Sequence, residues 1–222
     1  MKETLRINLH CHSQFSDGDL SPDELAERLS AAGVRAAALT DHDSLEGQAA
    51  FRQALTRRSI ACLTGIELSV STGPGADIHL LGYGFDLDHP VLTAIVARAA
   101  GLKRQGDRSP LAPPLSGPPR TEAVGTDSLT AAEAIAAIHQ AGGLVFWAHP
   151  LDPDGPSPAA SLEPLLSRLK DSGLDGLEAY YGSYSAARRQ ELADLADRHQ
   201  LLTSAGSDYH GPSGRGSRDF HV

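Results

Sequence analysis

Short apolar, strand-like runs alternate with capped helical patterns along most of this chain, and no other feature constrains its fold as strongly. Such alternation is typical of βα units, in which helices join parallel strands. Ser21 and Glu24 form a capping box that predicts the start of one helix. Thr130 and Glu133 predict a second helix in the same way. We therefore expect an α/β fold with largely parallel strands.

Two regions depart from this alternation. Residues 60–84 look like a pair of strands around a turn rich in glycine and proline. A helix predicted from about residue 90 to 103 is followed by residues 104–129, which hold five prolines and three glycines. We expect one domain, residues 1–222, that carries this stretch as a long surface loop or short insertion.

Charge and hydropathy exclude some classes of partner. The formal net charge is −9 at pH 7, whereas proteins that grip long duplexes neutralise phosphates with an excess of Lys and Arg. A small phosphorylated substrate stays compatible, because bound divalent cations would make a carboxylate-lined pocket positive. No run approaches the roughly 18 apolar residues that span a bilayer, and the N-terminus lacks a signal-peptide pattern. We expect a cytoplasmic protein without a membrane partner, of unpredicted oligomeric state.

Histidines at the start of the chain indicate a metal site. His10 and His12 are two residues apart, so on a strand both side chains project from the same face and reach one metal. Further ligand-type residues stand mostly at the C-terminal ends of predicted strands: Asp17, His42, Glu67, His79, His149, Asp208 and His210. In a parallel barrel those ends meet at one rim, where such folds place active sites. We expect the nine side chains to converge there on bound metal.

Several of these residues, taken singly, have ordinary structural explanations. His79 alone would more often be a hydrogen-bonded structural residue, and Asp17 alone could form a turn. The neighbouring Asp43 is expected to cap a helix. Glu67 differs, because it lies in a run so apolar that an unpaired carboxylate there would cost several kcal/mol. A cation is its simplest partner.

The remaining histidines and both cysteines are expected to be structural or solvated. Cys11 and Cys62 are too few for a disulfide framework, and their strand-like surroundings predict buried free thiols. The four histidines outside the predicted site are His89, His139, His199 and His221. No phosphate-binding P-loop or G-x-S-x-G elbow is present in the sequence.

Seven motifs occur in order along residues 8–210: His10-Cys11-His12, Ser16-Asp17-Gly18, Thr40-Asp41-His42-Asp43, Gly65-Ile66-Glu67, His79, Ala148-His149-Pro150 and Gly206-Ser207-Asp208-Tyr209-His210. Together they resemble the motifs of the PHP family, the polymerase and histidinol phosphatase domain. The resemblance implies a distorted (β/α)7 TIM-like barrel that holds three divalent ions of Zn, Mn or Fe.

The same resemblance implies how the ligands are shared. One ion would be held by His10, His12, Glu67 and Asp208, a second by a bridging Glu67 with His79 and His149, and a third by Asp17, His42 and His210. None of these ligands is a cysteine, and a mixture of imidazoles and carboxylates suits Zn, Mn or Fe.

We hypothesise a phosphoesterase that hydrolyses small phosphomonoesters, namely a nucleotide, a nucleoside bisphosphate or a sugar or amino-alcohol phosphate. A metal-bound hydroxide, with its pKa lowered toward about 7, would attack phosphorus in line. Glu67 would bridge two ions, and either Asp208 or a nearby histidine such as His210 would move the proton. Two alternatives stay open: a phosphodiesterase or exonuclease that trims short oligonucleotides, and a non-catalytic metal-stabilised module.

One region differs from the family pattern. Stand-alone members of the PHP family usually carry a helical insertion with an Arg-x-His-Phe-like stretch before the Ala-His-Pro motif, whereas this chain has RSPLAPPLSGPPR there. The difference weakens the case for nucleotide recognition. It leaves four candidates for a phosphate clamp: Arg104, Arg108, Arg120 and Arg215.

Overall fold

Two β-sheets flanked by helices make up the fold in a computed structural model, which describes residues 6–73, 77–106, 128–152, 157–213 and 220. The strands are β1 (Ile7–Asn8), β2 (Ala36–Ala38), β3 (Ala61–Leu63), β4 (Gly65–Ser71), β5 (Asp77–Tyr83), β6 (Leu144–Trp147), β7 (Gly176–Tyr181) and β8 (Leu202–Gly206). The helices are α1 (Pro22–Ala31), α2 (Gln48–Arg57), α3 (Pro90–Gly106), α4 (Ala131–Gln140), α5 (Glu163–Asp171) and α6 (Ala186–Arg198), with a 3₁₀ turn at Ala159–Leu162.

The first sheet has the order β1-β2-β3 and is parallel, while the second has the order β4-β5-β6-β7-β8. Within the second sheet, β5 runs antiparallel to β4 and β6, whereas β6, β7 and β8 are parallel. The predicted strand pair is therefore present as β4 and β5, which pair from Gly65 with Tyr83 to Ser71 with Asp77. The chain passes from the first sheet to the second at Thr64.

The mixed α/β prediction is confirmed, but a closed TIM-like barrel is not shown. The sheets approach each other at isolated bridges, between Cys11 and Tyr209 and between His42 and Glu67. The backbone N–H of Leu9 also donates to the carbonyl of Ala205, at 2.9 Å. The sheets therefore meet at single positions, and the described strands form two sheets.

Local sequence signals explain where α1 and α4 begin. The Ser21 side chain accepts from the backbone of Glu24, whose carboxylate accepts in return from the backbone N–H of Ser21 at 2.9 Å. Thr130 and Glu133 form the same reciprocal pair at α4. Both predicted capping boxes are confirmed.

The prediction that Asp43 caps a helix is wrong. Helix α2 begins at Gln48, and its N-cap Gly47 makes no side-chain bond. Asp43 has a left-handed backbone with φ of 51°, and its carboxylate accepts from the backbone N–H and hydroxyl of Ser69, each at 3.0 Å. It therefore fastens the loop after β2 to β4.

The apolar core has one large part on each sheet. Helices α1 and α2 bury residues such as Leu25 and Phe51 against the first sheet, while α3 to α6 bury residues such as Ile135 and Leu192 against the second. Cys11 is buried in the first part and Cys62 is partly buried, both as free thiols. The helices cover one face of each sheet, and the polar residues of the candidate site lie outside these apolar clusters.

Two further predictions concern the surface. Helix α3 continues to Gly106, and residues 107–127 of the predicted loop lie outside the described residues. Across the described part of the chain, no helix combines the length and apolar character needed to cross a membrane.

Candidate metal centre

All nine predicted ligand side chains lie in one cluster where the two sheets meet. His10 and His12 follow β1, and Cys11 between them points into the apolar core. The loop from Ser13 to Asp17 is held by the buried carboxylate of Asp41, which accepts from the backbone N–H of Ser13 at 2.7 Å and from the hydroxyl of Ser16 at 2.7 Å. These local bonds place Asp17 beside the histidines.

Glu67, fully buried on β4, stands between two sets of histidines. Its Oε2 atom lies 3.1 Å from Nε2 of His10, 3.1 Å from Nε2 of His12 and 3.3 Å from Nδ1 of His42. Its Oε1 atom lies 3.1 Å from Nδ1 of His79 and 3.2 Å from Nε2 of His149. One carboxylate therefore faces imidazole nitrogens on both sides.

Asp208 completes a buried group of four with His10, His12 and Glu67. Its Oδ1 atom is 3.1 Å from Nε2 of His10 and 3.0 Å from Nε2 of His12. The two imidazole Nε2 atoms are themselves only 3.1 Å apart. Four donor atoms thus point at one small volume.

Asp17 gathers the remaining ligands at the more exposed side of the cluster. It lies 3.4 Å from Nε2 of His210, 3.9 Å from Nε2 of His42 and 3.7 Å from Nδ1 of His12. His12 therefore stands between this group and the Glu67 group, one ring nitrogen toward each. The assignment implied by the family resemblance gives His12 to the first ion alone. In the structure, His12 also faces Asp17, a proposed ligand of the third ion.

Opposing charges control the protonation of the metal-free cluster. Burial by itself lowers the pKa of His10, but the carboxylates of Glu178 and Glu67 outweigh it and raise this pKa well above 6.5. For His42 burial prevails and lowers the pKa to about 4. Burial would raise the pKa of Glu67, yet His10 and His42 hold it well below 4.5. Ionised carboxylates and imidazolium groups therefore balance one another.

The donor set fits divalent cations. The Nδ1 atoms of His12 and His42 are buried and make no hydrogen bond, which is costly for a polar atom unless another partner satisfies it. The surrounding donors are imidazole nitrogens and carboxylate oxygens without thiolates, a combination that suits Zn, Mn or Fe. Three overlapping groups of such donors occur among the described residues.

Two of these ligand-type residues have strained backbones. His149 has φ of 25° and Asp208 has φ of 52°, both in the left-handed region. Such a conformation costs about 1–3 kcal/mol in a non-glycine residue and occurs frequently at functional sites. The backbone N–H of His149 donates to Glu178 at 2.8 Å, and this bond helps to keep the His149 side chain directed at the cluster.

The sequence motifs did not identify two residues that contact the cluster. Glu178, fully buried on β7, lies 2.9 Å through Oε1 from Nδ1 of His10. Its signal was available, because it is a carboxylate inside an apolar strand, as Glu67 is. The hydroxyl of Tyr181 donates to Oδ2 of Asp208 at 3.1 Å; nothing in the sequence distinguishes this tyrosine from an ordinary core residue.

The other histidines lie apart from the cluster where they are described. His139 pairs with Asp175 at 2.8 Å and His199 with Glu163 at 2.5 Å, while the backbone N–H of His89 donates to the carbonyl of Asp86. Outside the described part of the chain are His221 and the side chains of the four proposed phosphate clamps, Arg104, Arg108, Arg120 and Arg215.

Comparison with known proteins gives matches along the chain. The family model for the PHP domain matches residues 8–140. A 3′,5′-nucleoside bisphosphate phosphatase from Chromobacterium violaceum is 31% identical, with 96% of this chain and 90% of that protein aligned. A 5′-3′ exoribonuclease from Haemophilus influenzae is 30% identical, with 95% of this chain and 92% of that protein aligned.

A solved structure has a similar fold. It is an amidohydrolase from Chromobacterium violaceum with bound sulfate and no metal, 29% identical in sequence, with a TM-score of 0.76. The alignment covers 94% of this chain and 88% of that one. The similarity therefore extends over nearly the whole chain.

Proposed function

Because the chain belongs to the PHP domain family, as its motifs predicted, we propose that it is a metal-dependent phosphoesterase that hydrolyses small phosphomonoesters. The observation that carries this proposal is the position of Glu67. Its Oε2 atom lies 3.1 Å from Nε2 of His10, and its Oε1 atom lies 3.1 Å from Nδ1 of His79. Two cations about 3.5–4 Å apart, bridged by a carboxylate, are typical of enzymes that cleave phosphate esters.

The nine ligand-type residues are assigned as metal ligands within this proposal. One ion would be bound by His10, His12, Glu67 and Asp208, a second by Glu67, His79 and His149, and a third by Asp17, His42 and His210. The buried Nδ1 atoms of His12 and His42 form no hydrogen bond, which supports the presence of cations in the cluster. Three ions of Zn, Mn or Fe would replace the protons that balance the carboxylates in the metal-free state.

When bound, divalent ions supply positive charge for the phosphoryl oxygens and make a water molecule acidic enough to act as nucleophile near neutral pH. The protein orients the ligands that receive them. Nδ1–H of His210 donates to the backbone carbonyl of Asp208 at 2.8 Å, so the Nε2 lone pair faces Asp17 and the cluster. His10 is fixed in the same tautomer by Glu178.

Proton transfer is assigned to residues at the open side of the cluster. Asp208 is 13% exposed at its side chain and accepts from Tyr181 through Oδ2, the oxygen opposite the one that faces His10. Within the proposal, Asp208 or His210 accepts the proton of the nucleophilic water and returns one to the leaving group. Glu67, fully buried, positions the ions and does not meet solvent.

A second function has support from one relative. The Haemophilus influenzae protein is named an exoribonuclease, so cleavage of phosphodiesters in short oligonucleotides is the alternative. Binding a single strand without sequence preference uses a basic groove with stacking aromatic side chains, whereas aromatic residues make up 5% of this chain and its net charge is −9. The monoesterase is therefore preferred. A non-catalytic module is the third candidate, and it predicts metal binding without turnover.

Four finer statements also belong to the proposal. We expect residues 1–222 to form a single PHP domain, and the two sheets to be parts of one distorted barrel joined at the bridges of His42 with Glu67 and of Cys11 with Tyr209. A long duplex is not expected as a partner. The cytoplasmic location stays a prediction from the sequence.

The test is a turnover assay with purified protein loaded with Mn²⁺ or Zn²⁺. Phosphomonoesters, nucleoside bisphosphates and short oligonucleotides are offered in parallel, and inorganic phosphate and shortened oligonucleotides are measured. We expect the protein to release inorganic phosphate. Chelation of the metal and the Glu67→Gln substitution should each abolish this release. A matched control is Glu163→Gln, which removes the same negative charge from the pair of Glu163 with His199, distant from Glu67 in the sequence. Shortened oligonucleotides without phosphate release would favour the exonuclease instead.

A further inference from the structure

Two buried tyrosines lie at the end of β7, next to the metal cluster. Tyr181 is the last residue of the strand, and Tyr184 follows in the loop before α6. Their rings are in edge-to-face contact, with centroids 4.9 Å apart and planes at 66°, an arrangement that aromatic pairs favour. Both rings belong to the apolar core on the second sheet. Core packing therefore explains the two rings, whereas the two hydroxyl groups bond to polar groups near the proposed ligands.

The hydroxyl group of Tyr184 fastens this residue to the loop after β6. It accepts from the backbone N–H of Leu151 at 2.8 Å and donates to the backbone carbonyl of the same residue at 2.7 Å. Leu151 is next but one after His149, a proposed ligand of the second ion. Because its hydroxyl is held both as donor and as acceptor, Tyr184 gives the ring of Tyr181 a fixed surface on which to pack.

The hydroxyl group of Tyr181 bonds to a proposed ligand of the first ion. It donates to Oδ2 of Asp208 at 3.1 Å. The other oxygen of this carboxylate, Oδ1, lies 3.1 Å from Nε2 of His10 and 3.0 Å from Nε2 of His12. The centroid of the Tyr181 ring is also 5.7 Å from that of the His149 ring. Tyr181 therefore adjoins proposed ligands of two different ions, although it is not among the nine proposed ligands itself.

Backbone bonds hold the end of β7 beside the loop that carries Asp208. The N–H of Gly182, the residue after Tyr181, donates to the carbonyl of Gly206 at 2.8 Å. The N–H of Asp208 donates to the carbonyl of His10 at 2.8 Å. Since both backbones are fixed, the bond from the Tyr181 hydroxyl sets the rotation of the Asp208 carboxylate about its Cβ–Cγ bond. Oδ1 is thereby directed at His10 and His12, and Oδ2 at Tyr181.

A carboxylate binds a cation through one oxygen or through both. We propose that Tyr181 is a positioning residue that restricts Asp208 to one-oxygen ligation of the first ion, through Oδ1. The hydroxyl keeps Oδ2 turned away from the ion, so that a coordination position stays open for the substrate, as catalytic metal sites require. This inference rests on the proposed phosphoesterase function and gives a role to a residue outside the nine proposed ligands.

The test compares the visible absorption spectra of the Co²⁺-loaded wild type and Tyr181→Phe, without substrate. Phenylalanine keeps the ring and its packing and removes only the hydroxyl group. Oδ2 of Asp208 is then free to turn to the ion and raise its coordination number, and Co²⁺ absorbs visible light less strongly as its number of ligands increases. We expect the molar absorbance of the visible bands to decrease in Tyr181→Phe. Identical spectra of the two proteins would overturn the proposal.

Tyr180→Phe is the matched control, because it removes a hydroxyl group from the adjacent residue of β7, whose side chain is exposed. Its Co²⁺ spectrum and its turnover number should equal those of the wild type. In Tyr181→Phe the turnover number should decrease by about 10–100-fold, the range typical of residues that support metal ligands. Equal spectral changes in Tyr180→Phe and Tyr181→Phe would show a general effect on β7 and would refute the role of the Tyr181 hydroxyl.

Failure of this role and failure of the proposed function give different results. A decreased absorbance in Tyr181→Phe, together with a wild type that hydrolyses no phosphate ester, would support the positioning role and refute the phosphoesterase. Hydrolysis of phosphomonoesters by the wild type, together with identical Co²⁺ spectra of the wild type and Tyr181→Phe, would refute the positioning role alone.

Discussion

The imidazole of His10 and the carboxylate of Glu178 form a fully buried pair, with Nδ1 2.9 Å from Oε1. The second oxygen of Glu178 accepts from the backbone N–H of His149 at 2.8 Å. One side chain thus fixes the tautomer of His10, a proposed ligand that follows the first sheet's β1, and the strained backbone of His149, a proposed ligand after β6. Partners of this kind set the orientation of metal-binding histidines.

We predict that Glu178→Gln weakens Mn²⁺ binding by about 10–100-fold, the range typical of outer-sphere partners. Glutamine has one acceptor oxygen, so it cannot accept from both His10 and His149 as the carboxylate does. The measurement is competition with a chelating metal indicator, together with circular dichroism to verify folding. Glu163→Gln, at the pair with His199, should keep wild-type affinity; equal affinity in both variants would refute the role of Glu178.

Metal uptake should release protons at pH 7. Burial lowers the pKa of His12, but hydrogen bonds to Asp208 and Glu67 outweigh it and raise this pKa from 6.5 to about 9 in the metal-free protein. His12 is then protonated at pH 7, and its proton must leave before Nε2 can bind an ion. Calorimetry in buffers of different ionisation enthalpy should show this release, and apparent affinity should increase up to about pH 9. A binding enthalpy independent of the buffer would contradict the prediction.

The metal-free protein should respond to pH in the opposite direction. A histidine whose folded pKa is raised above its unfolded value stabilises the fold below the unfolded pKa, and this contribution is lost as pH increases through the folded pKa. For His12 the window runs from 6.5 to about 9. We expect the free energy of unfolding, measured with urea after chelation, to decrease between these values. Constant or increasing stability over this window would show that the cluster is not protonated.

Close packing around His10 gives a prediction at a glycine. A Cβ atom on Gly206 of β8 would overlap with Cβ of His10 and lie 2.8 Å from Oε1 of Glu178. Gly206→Ala should therefore destabilise the protein by about 1–3 kcal/mol, as overpacking does, and weaken metal binding. The control is Gly101→Ala in α3, where nothing lies within 4 Å, and which should stabilise by about 0.5–1 kcal/mol through helix propensity. Denaturant unfolding measures both; a harmless Gly206→Ala would refute the packing argument.

Local signals in the sequence were sufficient to predict features that depend on residues close together in the sequence. The capping boxes of Ser21 and Thr130 depend on residues three positions away, and both helices begin there. Asp43 shows where such reasoning fails. Its sequence context is that of a helix cap, but its carboxylate bonds to Ser69, 26 positions away on β4. The competing partner belongs to another strand and cannot be read from the local sequence.

The clustering of the nine proposed ligands was predictable because they belong to residue types that apolar strands and strand ends seldom carry. His10 and Asp208 follow the ends of β1 and β8 as expected, whereas Glu67 lies inside β4, and the strands form two sheets and not one closed barrel. Glu178 was missed because strand β7 does not end in a ligand motif at that position. Its role depends on the short distance to His10, which follows β1 of the other sheet, and sequence spacing does not give that distance.

The central claim is that Glu67 is shared between bound cations, and anomalous X-ray diffraction tests it most directly. Crystals of the protein grown with Zn²⁺ should be measured above and below the zinc absorption edge. We predict one anomalous peak between Oε2 of Glu67 and the rings of His10 and His12, and another between Oε1 and the rings of His79 and His149. Peaks only elsewhere on the molecule, or none at either oxygen of Glu67, would contradict the account.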